Sequence, residues 1–422
     1  MTRITLIAFG TRGDVQPAIA LGKGLRECGH QVTVLAGANF KEWIESHGLK
    51  AAVTHINIQE IMESEGGQDW VERGHNPIIQ MRIMRRLLLQ SGFQMALDAW
   101  EACQGADVII SSFTSDVYCV SIAKKLGAKH ISAPLQPTLM STRDGHVLLS
   151  APIPNRVSLA NYLFGKILIE PAAWRLYGDL SNRFRQEILK LPPQSHHQNK
   201  AARLEMLIVH AYSKYVVPHP KDWPDNYHTA GYFFLNEDTA WQPPNDLLDF
   251  IEAGPPPICI GFGSMTGRDP RKMTDVVRRA VKRSGQRAVL LSGWGKFGEA
   301  DLPNTIYSLP QAPHNWLFPR MSAVIHHGGA GTTAAGLQAG IPSILIPHFA
   351  DQPFWANRVE DLGVGPKGII RHRLTAENLA DAIIEATTNP DIQHKAAELG
   401  KKIRAENGVR QAVELIEDYI GQ

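Results

Sequence analysis

Short apolar runs alternate with longer amphipathic stretches along the chain, which is the pattern of strands and helices in an α/β protein. Apolar runs bounded by Gly, Pro or polar residues are typical of buried parallel strands. They predict strands over 3–9, 31–36, 51–55, 107–112, 129–133 and 207–210 in the first half, and over 258–262, 288–292, 323–326 and 341–346 in the second. We expect the strand at 207–210 to close the first sheet.

The amphipathic stretches predict helices over 17–28, 39–47, 77–103, 115–126, 157–177 and 333–339, followed by a helical region from 375 to 421. The first of them begins at Pro17 and ends before Gly29, because proline suits the first helical turn and glycine the residue after the last. The chain therefore opens as strand, loop, helix and strand, which is the unit of a doubly wound parallel sheet.

The chain length indicates more than one domain, since 422 residues exceed one ordinary core and fit two domains of about 200 residues each. A stretch with two proline clusters, Pro243-Pro244 and Pro255-Pro256-Pro257, marks the boundary, because prolines interrupt regular pairing and stiffen a connection. We predict an N-terminal domain over 1–230, a linker over 231–257 and a C-terminal domain over 258–404.

Composition narrows the class of protein. With 43 Lys+Arg against 41 Asp+Glu the net charge is only +2, which argues against nucleic acid as a partner. The four cysteines are far apart and lack metal-ligand spacing, so we expect neither zinc nor disulfides. No stretch reaches the roughly 18 apolar residues of a membrane span, and no signal peptide precedes the first strand. We therefore expect a cytoplasmic protein.

Phosphate-binding residue types occupy the turn between the strand at 323–326 and the next helix. The sequence His327-Gly328-Gly329-Ala330-Gly331-Thr332 lets backbone approach a ligand closely, and the first N–H groups of a helix have no partner within it. A diphosphate could bind there, with His327 and Thr332 as added donors. The glycines alone are equally consistent with tight strand-to-helix packing.

The next strand, over 341–346, is followed by Asp351 and Gln352. Ligands of an open α/β sheet bind beyond the carboxyl ends of its strands, so we expect both side chains to share a site with the glycine-rich turn. A carboxylate beside an amide suits the hydroxyl groups of a sugar.

The segment HHGGAGTTAAGLQAGIPSILIPHFADQPFWANRVEDLGVGP resembles the donor signature of the UDP-glycosyltransferase superfamily, whose GT-B fold has two Rossmann-like domains facing across a cleft. It is most similar to the sterol 3β-glucosyltransferase branch, which is related to enzymes that glycosylate antibiotic aglycones. The resemblance implies UDP-glucose as donor. It also implies that the last helix, over 405–422, packs back on the N-terminal domain.

The same resemblance assigns roles to residues of the signature. It implies that His327 contacts the diphosphate together with the turn residues Gly329, Gly331 and Thr332. The pair Asp351-Gln352 would hold the glucose hydroxyls, and the backbone of Ala312, ahead of Pro313, would hold the uracil. The turn FGSM resembles a phosphate-contacting loop with Ser264 as donor. Many relatives carry a ribose-binding Glu where this chain has Ala335, so a preference for UDP over dTDP stays open.

Asp14 is the candidate catalytic base. From the residues alone, the favoured interpretation is a carboxylate that stabilises the start of a helix. The motif GTRGDVQP, however, resembles the N-terminal loop of the sterol and antibiotic glucosyltransferases, in which this Asp is the general base, and we expect Gly13 beside it to contact the donor. A dinucleotide oxidoreductase is disfavoured, because neither GTRGDVQ nor GFGSMTG completes G-x-G-x-x-G.

These features predict an inverting enzyme that moves glucose from UDP-glucose to a sterol or sterol-like lipid and gives a β-glucoside. A polyketide, flavonoid or peptide aglycone is the alternative acceptor. No metal ion is expected, since the chain lacks a D-x-D carboxylate pair. The stretch 78–89 mixes apolar side chains with arginines, so it is either a core helix with a solvated basic face or a peripheral membrane contact. We expect a monomer.

Overall fold

A computed structural model describes residues 1–137, 141–143, 158–235, 241–263, 269–293 and 302–422 of the chain. Its strands are β1 Arg3–Ile7, β2 Gln31–Gly37, β3 Lys50–Thr54, β4 Val108–Ser111, β5 Lys129–Ser132, β6 Leu207–His210, β7 Tyr227–Thr229, β8 Ile258–Gly261, β9 Ala288–Leu291, β10 Ile306–Leu309, β11 Ala323–His326 and β12 Ser343–Leu345.

The α-helices of these residues follow in chain order. They are α1 Arg12–Glu27, α2 Lys41–Ser46, α3 Ile58–Glu63, α4 Glu65–Arg73, α5 Pro77–Leu87, α6 Phe93–Ala102, α7 Asp116–Leu126, α8 Ser158–Phe164, α9 Glu170–Glu187, α10 His196–Glu205, α11 Asn245–Glu252, α12 Pro270–Ser284, α13 His314–Leu317, α14 Ala330–Ala339, α15 Gln352–Leu362, α16 Ala376–Thr388, α17 Pro390–Ala405 and α18 Gly408–Gly421.

The strands form two separate parallel sheets. The first has the order β3-β2-β1-β4-β5-β6-β7, and the second has the order β10-β9-β8-β11-β12. In the first sheet Ile4 lies between Val32 of β2 and Val108 of β4, so the strand order reverses at β1. In the second sheet Ile260 lies between Leu290 of β9 and Ile325 of β11, so it reverses at β8. The α/β class with two doubly wound sheets is confirmed.

The chain divides into two compact units, each with one of the sheets. The first unit comprises Met1–Glu60, Met84–Asn236 and Glu406–Gln422, and the second comprises Ile61–Ile83 and Glu237–Ala405. Helix α18 lies in the first unit, where Val413 and Ile416 are buried in one apolar cluster with Leu21 and Leu25 of α1. A side chain at Gly24 of α1 would place its Cβ 2.9 Å from Val413, so glycine allows this close helix packing.

The segment Ile61–Ile83 belongs to the second unit, whereas the predicted division at residue 230 places it in the N-terminal domain. Its contacts explain the difference. Trp70 of α4 stacks on Phe349, with ring centroids 4.5 Å apart, and the side chain of Gln80 accepts a hydrogen bond from the N–H of Ala350. Partners so distant along the chain leave no local pattern in the sequence.

Several elements differ from the prediction, among them the following four. Helix α1 begins at Arg12 instead of residue 17, because Thr11 serves as its N-cap, and Pro17 lies inside the helix. Helix α14 begins at Ala330 instead of residue 333. Strand β7 extends the first sheet past β6, and it was not predicted because its three residues, Tyr227–Thr229, form no apolar run. Helix α11 lies within the predicted linker, where Leu247 is buried in the core of the second unit.

Among the residues that the structure describes, no helix combines the length and the apolar character needed to cross a bilayer.

Candidate active site

In the first unit, the carboxylate of Asp14 lies in the first turn of α1, just after the loop that follows β1. Asp14 is the third residue of α1, and its Oδ2 accepts a hydrogen bond of 2.9 Å from the backbone N–H of Thr11. The Thr11 hydroxyl lies 3.4 Å from the same oxygen. These contacts fix the carboxylate at the start of the helix, where the partial positive charge of the helix end stabilises a negative charge.

Gly10 leaves the space that this carboxylate occupies. A Cβ at Gly10 would lie 2.0 Å from Oδ2 of Asp14, so any other residue would displace the side chain. Gly13 is different, because a Cβ there would lie 3.7 Å from Thr11 Oγ1, which is an ordinary contact. The packing around Gly13 therefore gives no steric reason for glycine, and its contact with the donor stays a prediction.

In the second unit, the glycine-rich turn follows β11 as predicted. Gly328 has a φ of +90°, a conformation that glycine adopts without strain, and its N–H donates to Nδ1 of the buried His326. The N-cap of α14 is Gly329, and the next residues, Ala330, Gly331 and Thr332, form the first turn of the helix. Their N–H groups have no acceptor within the helix and are therefore available to an anion.

His327 lies beside this helix end. Burial lowers the pKa of His327 to about 4, so its ring is neutral at pH 7. Its Nδ1 is buried and has no hydrogen-bond partner among the described residues. A Cβ at Gly329 would lie 2.6 Å from Nε2 of this ring, and one at Gly263 would lie 3.8 Å from its Cε1. The ring thus occupies a space that Gly329 leaves open, whereas the distance at Gly263 is an ordinary contact. Ser264, predicted to donate from the same side, lies outside the described residues.

Asp351 and Gln352 follow β12 and begin α15. Asp351 is the N-cap of this helix, and its Oδ2 accepts a hydrogen bond of 2.8 Å from Nε1 of Trp355. Burial raises the pKa of Asp351. Gln352 is only 4% exposed, and its Oε1 accepts from the N–H of His348 at 2.7 Å and of Phe349 at 3.3 Å. The amide oxygen of Gln352 therefore stabilises the turn that precedes α15. The amide nitrogen can donate a hydrogen bond to a ligand.

The glycine-rich turn and the Asp351-Gln352 pair lie together. A Cβ at Gly328 would be 3.3 Å from the carbonyl oxygen of Gln352 and 3.4 Å from its Cβ. The spacing of the two motifs along parallel strands thus places them in one site. Ala312 and Ala335 both pack against the apolar cluster of the second unit that contains Val324 and Leu317. The roles of Ala312, Gly329, Gly331 and Thr332 toward a nucleotide stay predictions.

A cavity of about 90 Å³ lies in the first unit. Aromatic side chains and charged side chains share its lining, among them Phe113, Trp174, Tyr177, Asp116, Lys200 and Arg203. The sequence pattern favours a loop over 134–154 and a helix over 157–177 as parts of an acceptor pocket, although this helix is equally a core helix. Helix α9 supplies Trp174 and Tyr177 to the cavity and overlaps the stretch 157–177. The remaining loop of that predicted pocket falls largely on residues 138–140 and 144–157, outside the described part of the chain.

Two residues near the Asp351-Gln352 pair could not be predicted from the sequence. Trp70 and Gln80 contact Phe349 and Ala350, directly before Asp351. No motif marks either residue, and only the three-dimensional packing reveals them.

Two protein-family models match separate parts of the chain. Residues 4–121 match the N-terminal domain of glycosyltransferase family 28. Residues 294–417 match the C-terminal domain of the erythromycin biosynthesis protein CIII-like family, and this region contains the glycine-rich turn and the Asp351-Gln352 pair.

Two fungal sterol 3-beta-glucosyltransferases are similar in sequence to nearly the whole of this chain. The one from Komagataella phaffii is 36% identical over 425 residues, which cover 97% of this chain and 34% of the relative. The one from Glomerella lagenarium is 36% identical over 427 residues, which cover 98% of this chain and 28% of the relative. The chain thus spans about a third or less of the length of these relatives.

Solved structures share the architecture. The glycosyltransferase of kitacinnamycin superposes with a TM-score of 0.69 at 19% identity and covers 99% of this chain and 98% of its own. The calicheamicin glycosyltransferase CalG4 superposes with a TM-score of 0.70 at 16% identity, covering 100% and 99%. At these identities the likeness establishes the fold, which is GT-B, as the resemblance of the signature implies.

Proposed function

We propose that the chain is a GT-B glycosyltransferase that transfers glucose from UDP-glucose to the hydroxyl group of a sterol or sterol-like lipid, with inversion at the anomeric carbon. The observation that carries this proposal is the meeting of three features in the second unit. The neutral ring of His327 lies beside Gly329, the N-cap of α14, and Gly328 of the same turn packs against Gln352. The similarity to sterol 3-beta-glucosyltransferases supports the choice of sugar and acceptor.

The diphosphate leaving group would bind at the start of α14. The N–H groups of Ala330, Gly331 and Thr332 and the ring nitrogen of His327 would donate to its oxygens. Fixed donors in a partly dehydrated site stabilise developing charge without reorganising, so they lower the barrier to departure of UDP.

The glucosyl group would extend from the diphosphate to the Asp351-Gln352 pair. The carboxylate of Asp351 accepts hydrogen bonds from hydroxyl groups, and the amide nitrogen of Gln352 donates them. Both side chains are already held by protein contacts, so little conformational freedom is lost when the sugar binds.

Asp14 would accept the proton of the acceptor hydroxyl. As that oxygen bonds to the anomeric carbon, the bond from the anomeric carbon to the phosphate oxygen breaks on the opposite face, and the product is a β-glucoside. A positioned general base of this kind contributes about 10²–10⁴-fold to the rate. Asp14 belongs to the first unit, and the residues proposed to bind the donor belong to the second.

We propose peripheral membrane contact through the exposed apolar residues of the first unit, since a sterol-like acceptor resides in bilayers. Leu159, Leu163, Ile167 and Leu168 are 44–63% exposed. Exposed apolar side chains of this size are typical of membrane or protein contacts. Sedimentation with neutral vesicles tests this, and protein that stays in the supernatant would contradict it.

Replacing His327 with alanine should weaken UDP binding about 5- to 150-fold, because a donor to a charged phosphate is lost. The matched variant His327→Gln keeps a neutral donor and should lose less. Calorimetric titration with UDP measures both. Equal affinity in the wild type and His327→Ala would make the residue purely structural.

We propose that transfer needs no metal ion, because helix N–H groups and His327 supply the positive potential that a cation provides in other enzymes. Activity should therefore persist after dialysis against EDTA. If transfer is abolished by EDTA and restored by added Mg²⁺ or Mn²⁺, a metal-dependent mechanism operates instead.

The acceptor is tested by incubating the full chain with UDP-glucose or dTDP-glucose and a panel of sterols, polyketides, flavonoids and peptide aglycones, with detection by mass spectrometry. We expect a mass increase of one hexose on sterols with UDP-glucose. Glucosylation confined to polar aglycones would favour the antibiotic-type alternative.

A further inference from the structure

We propose that helix α4 and the start of α5 position the sugar-binding residue Asp351, and that Trp70 and Gln80 thereby set the affinity for the donor sugar. This inference rests on the proposed function. It adds a role for the segment Ile61–Ile83, which comes from the first half of the sequence and belongs to the second unit.

The turn before Asp351 is strained. Ala350 has a φ of +55°, and among the described residues only Lys190 shares a positive φ without being glycine. An L-residue with a Cβ adopts this conformation at an energetic cost, so surrounding contacts must hold it there. Because Ala350 directly precedes Asp351, its backbone conformation determines where the carboxylate lies.

Contacts from α4 and α5 hold this strained turn from one side. The side-chain oxygen of Gln80 accepts a hydrogen bond from the N–H of Ala350 at 3.4 Å. The ring of Trp70 lies on the ring of Phe349, with centroids 4.5 Å apart and planes inclined by 24°. A Cβ at Gly74 would lie 2.6 Å from the Cβ of Phe349, so glycine at this position permits the close approach.

Helix α15 holds the same turn from the other side. Gln352 accepts hydrogen bonds from the N–H groups of His348 and Phe349, and Trp355 donates to Asp351. Side chains of α15, and side chains of α4 and α5 from far away in the sequence, therefore hold the backbone over 348–350. Loss of the α4 and α5 contacts would leave the Ala350 conformation supported on one side only.

The effect of these contacts should appear in sugar binding and not in folding. Gln80 is partly exposed, and its single hydrogen bond to Ala350 is long. Among the residues that the structure describes, the apolar cluster that includes Leu247, Val289 and Val324 contains none from α4 or α5. Gln80→Ala should therefore fold normally and alter only the turn that it contacts.

The test compares Gln80→Ala with Gln68→Ala. Gln68 lies in α4, and its amide donates to the carbonyl of Met62 instead of the turn, so it is a matched control. We expect Gln80→Ala to raise KM for UDP-glucose about 3- to 10-fold, as for the loss of one hydrogen bond, while Kd for UDP stays unchanged. Gln68→Ala should match the wild type in both. Trp70→Leu, which removes the stacked ring, should change KM in the same direction as Gln80→Ala.

A double-mutant cycle identifies the cause. Glycine adopts a positive φ without strain, so in an Ala350→Gly background the loss of Gln80 should raise KM less than in the wild type. The inference is overturned if Gln80→Ala leaves KM unchanged, if it weakens UDP and UDP-glucose equally, or if the two substitutions are simply additive. Absence of transfer by the wild-type chain, in contrast, would refute the proposed function and with it this role of the segment.

Discussion

Substituting Asp14 with asparagine should lower kcat about 10²–10⁴-fold and leave the affinity for UDP-glucose nearly unchanged. The substitution removes the group proposed to accept the acceptor's proton, whereas the residues proposed to bind the donor lie in the other unit. Asparagine retains an oxygen that can accept the hydrogen bond from the N–H of Thr11, so the start of α1 should be preserved. Steady-state kinetics and calorimetric titration with UDP-glucose measure the two effects.

The variant Asp14→Ala separates the catalytic role from the capping role. It should be as inactive as Asp14→Asn, but its free energy of unfolding should fall by a further ~0.5–2 kcal/mol, the usual cost of losing a helix cap. If Asp14→Asn retains its turnover while Asp14→Ala is only less stable, Asp14 is a capping residue and not the base.

Substituting Asp351 with asparagine should lower kcat/KM for UDP-glucose about 10- to 100-fold, because hydrogen bonds to a charged group contribute ~1.5–3 kcal/mol. Affinity for UDP should stay the same, since the predicted partners of Asp351 are sugar hydroxyls beyond the diphosphate. Asparagine keeps an oxygen that can accept from Nε1 of Trp355, so the buried indole N–H retains a partner.

Trp355→Phe is the control for this experiment, since it removes the indole donor and leaves the Asp351 carboxylate in place. We expect it to reduce kcat/KM much less than Asp351→Asn. Equal losses of UDP and UDP-glucose affinity in Asp351→Asn would place this carboxylate at the nucleotide instead of the sugar.

The periodicity of the sequence predicts most of the architecture because buried parallel strands are continuous apolar runs. Strands β1, β2, β8, β11 and β12 are recognisable for this reason, and so is the doubly wound class. The start of α1 was predicted wrongly, because Pro17 resembles a helix start whereas the cap is Thr11. Strand β7 forms because it pairs with β6, and its three residues have no apolar pattern from which a strand could be predicted.

In the candidate site, too, motifs and their spacing predict some features, whereas others depend on contacts that form only in the folded chain. The glycine-rich turn and the Asp351-Gln352 pair follow neighbouring parallel strands, so topology predicts that they meet, and the structure brings Gly328 and Gln352 together. The Oε1 contacts of Gln352 and the strained φ of Ala350 are properties of the folded turn. The contribution of Gln80 arises from a contact 270 residues away, which no motif or spacing indicates.

The most direct test of the proposed function is to isolate the product formed by the full chain from UDP-glucose and a sterol, and to determine its mass and anomeric configuration by NMR. We predict a sterol monoglucoside in the β configuration, the inverse of the α-linked donor. A sterol recovered unmodified in the presence of a chain that binds UDP-glucose, or an α-glucoside as product, would contradict the assignment of an inverting sterol glucosyltransferase.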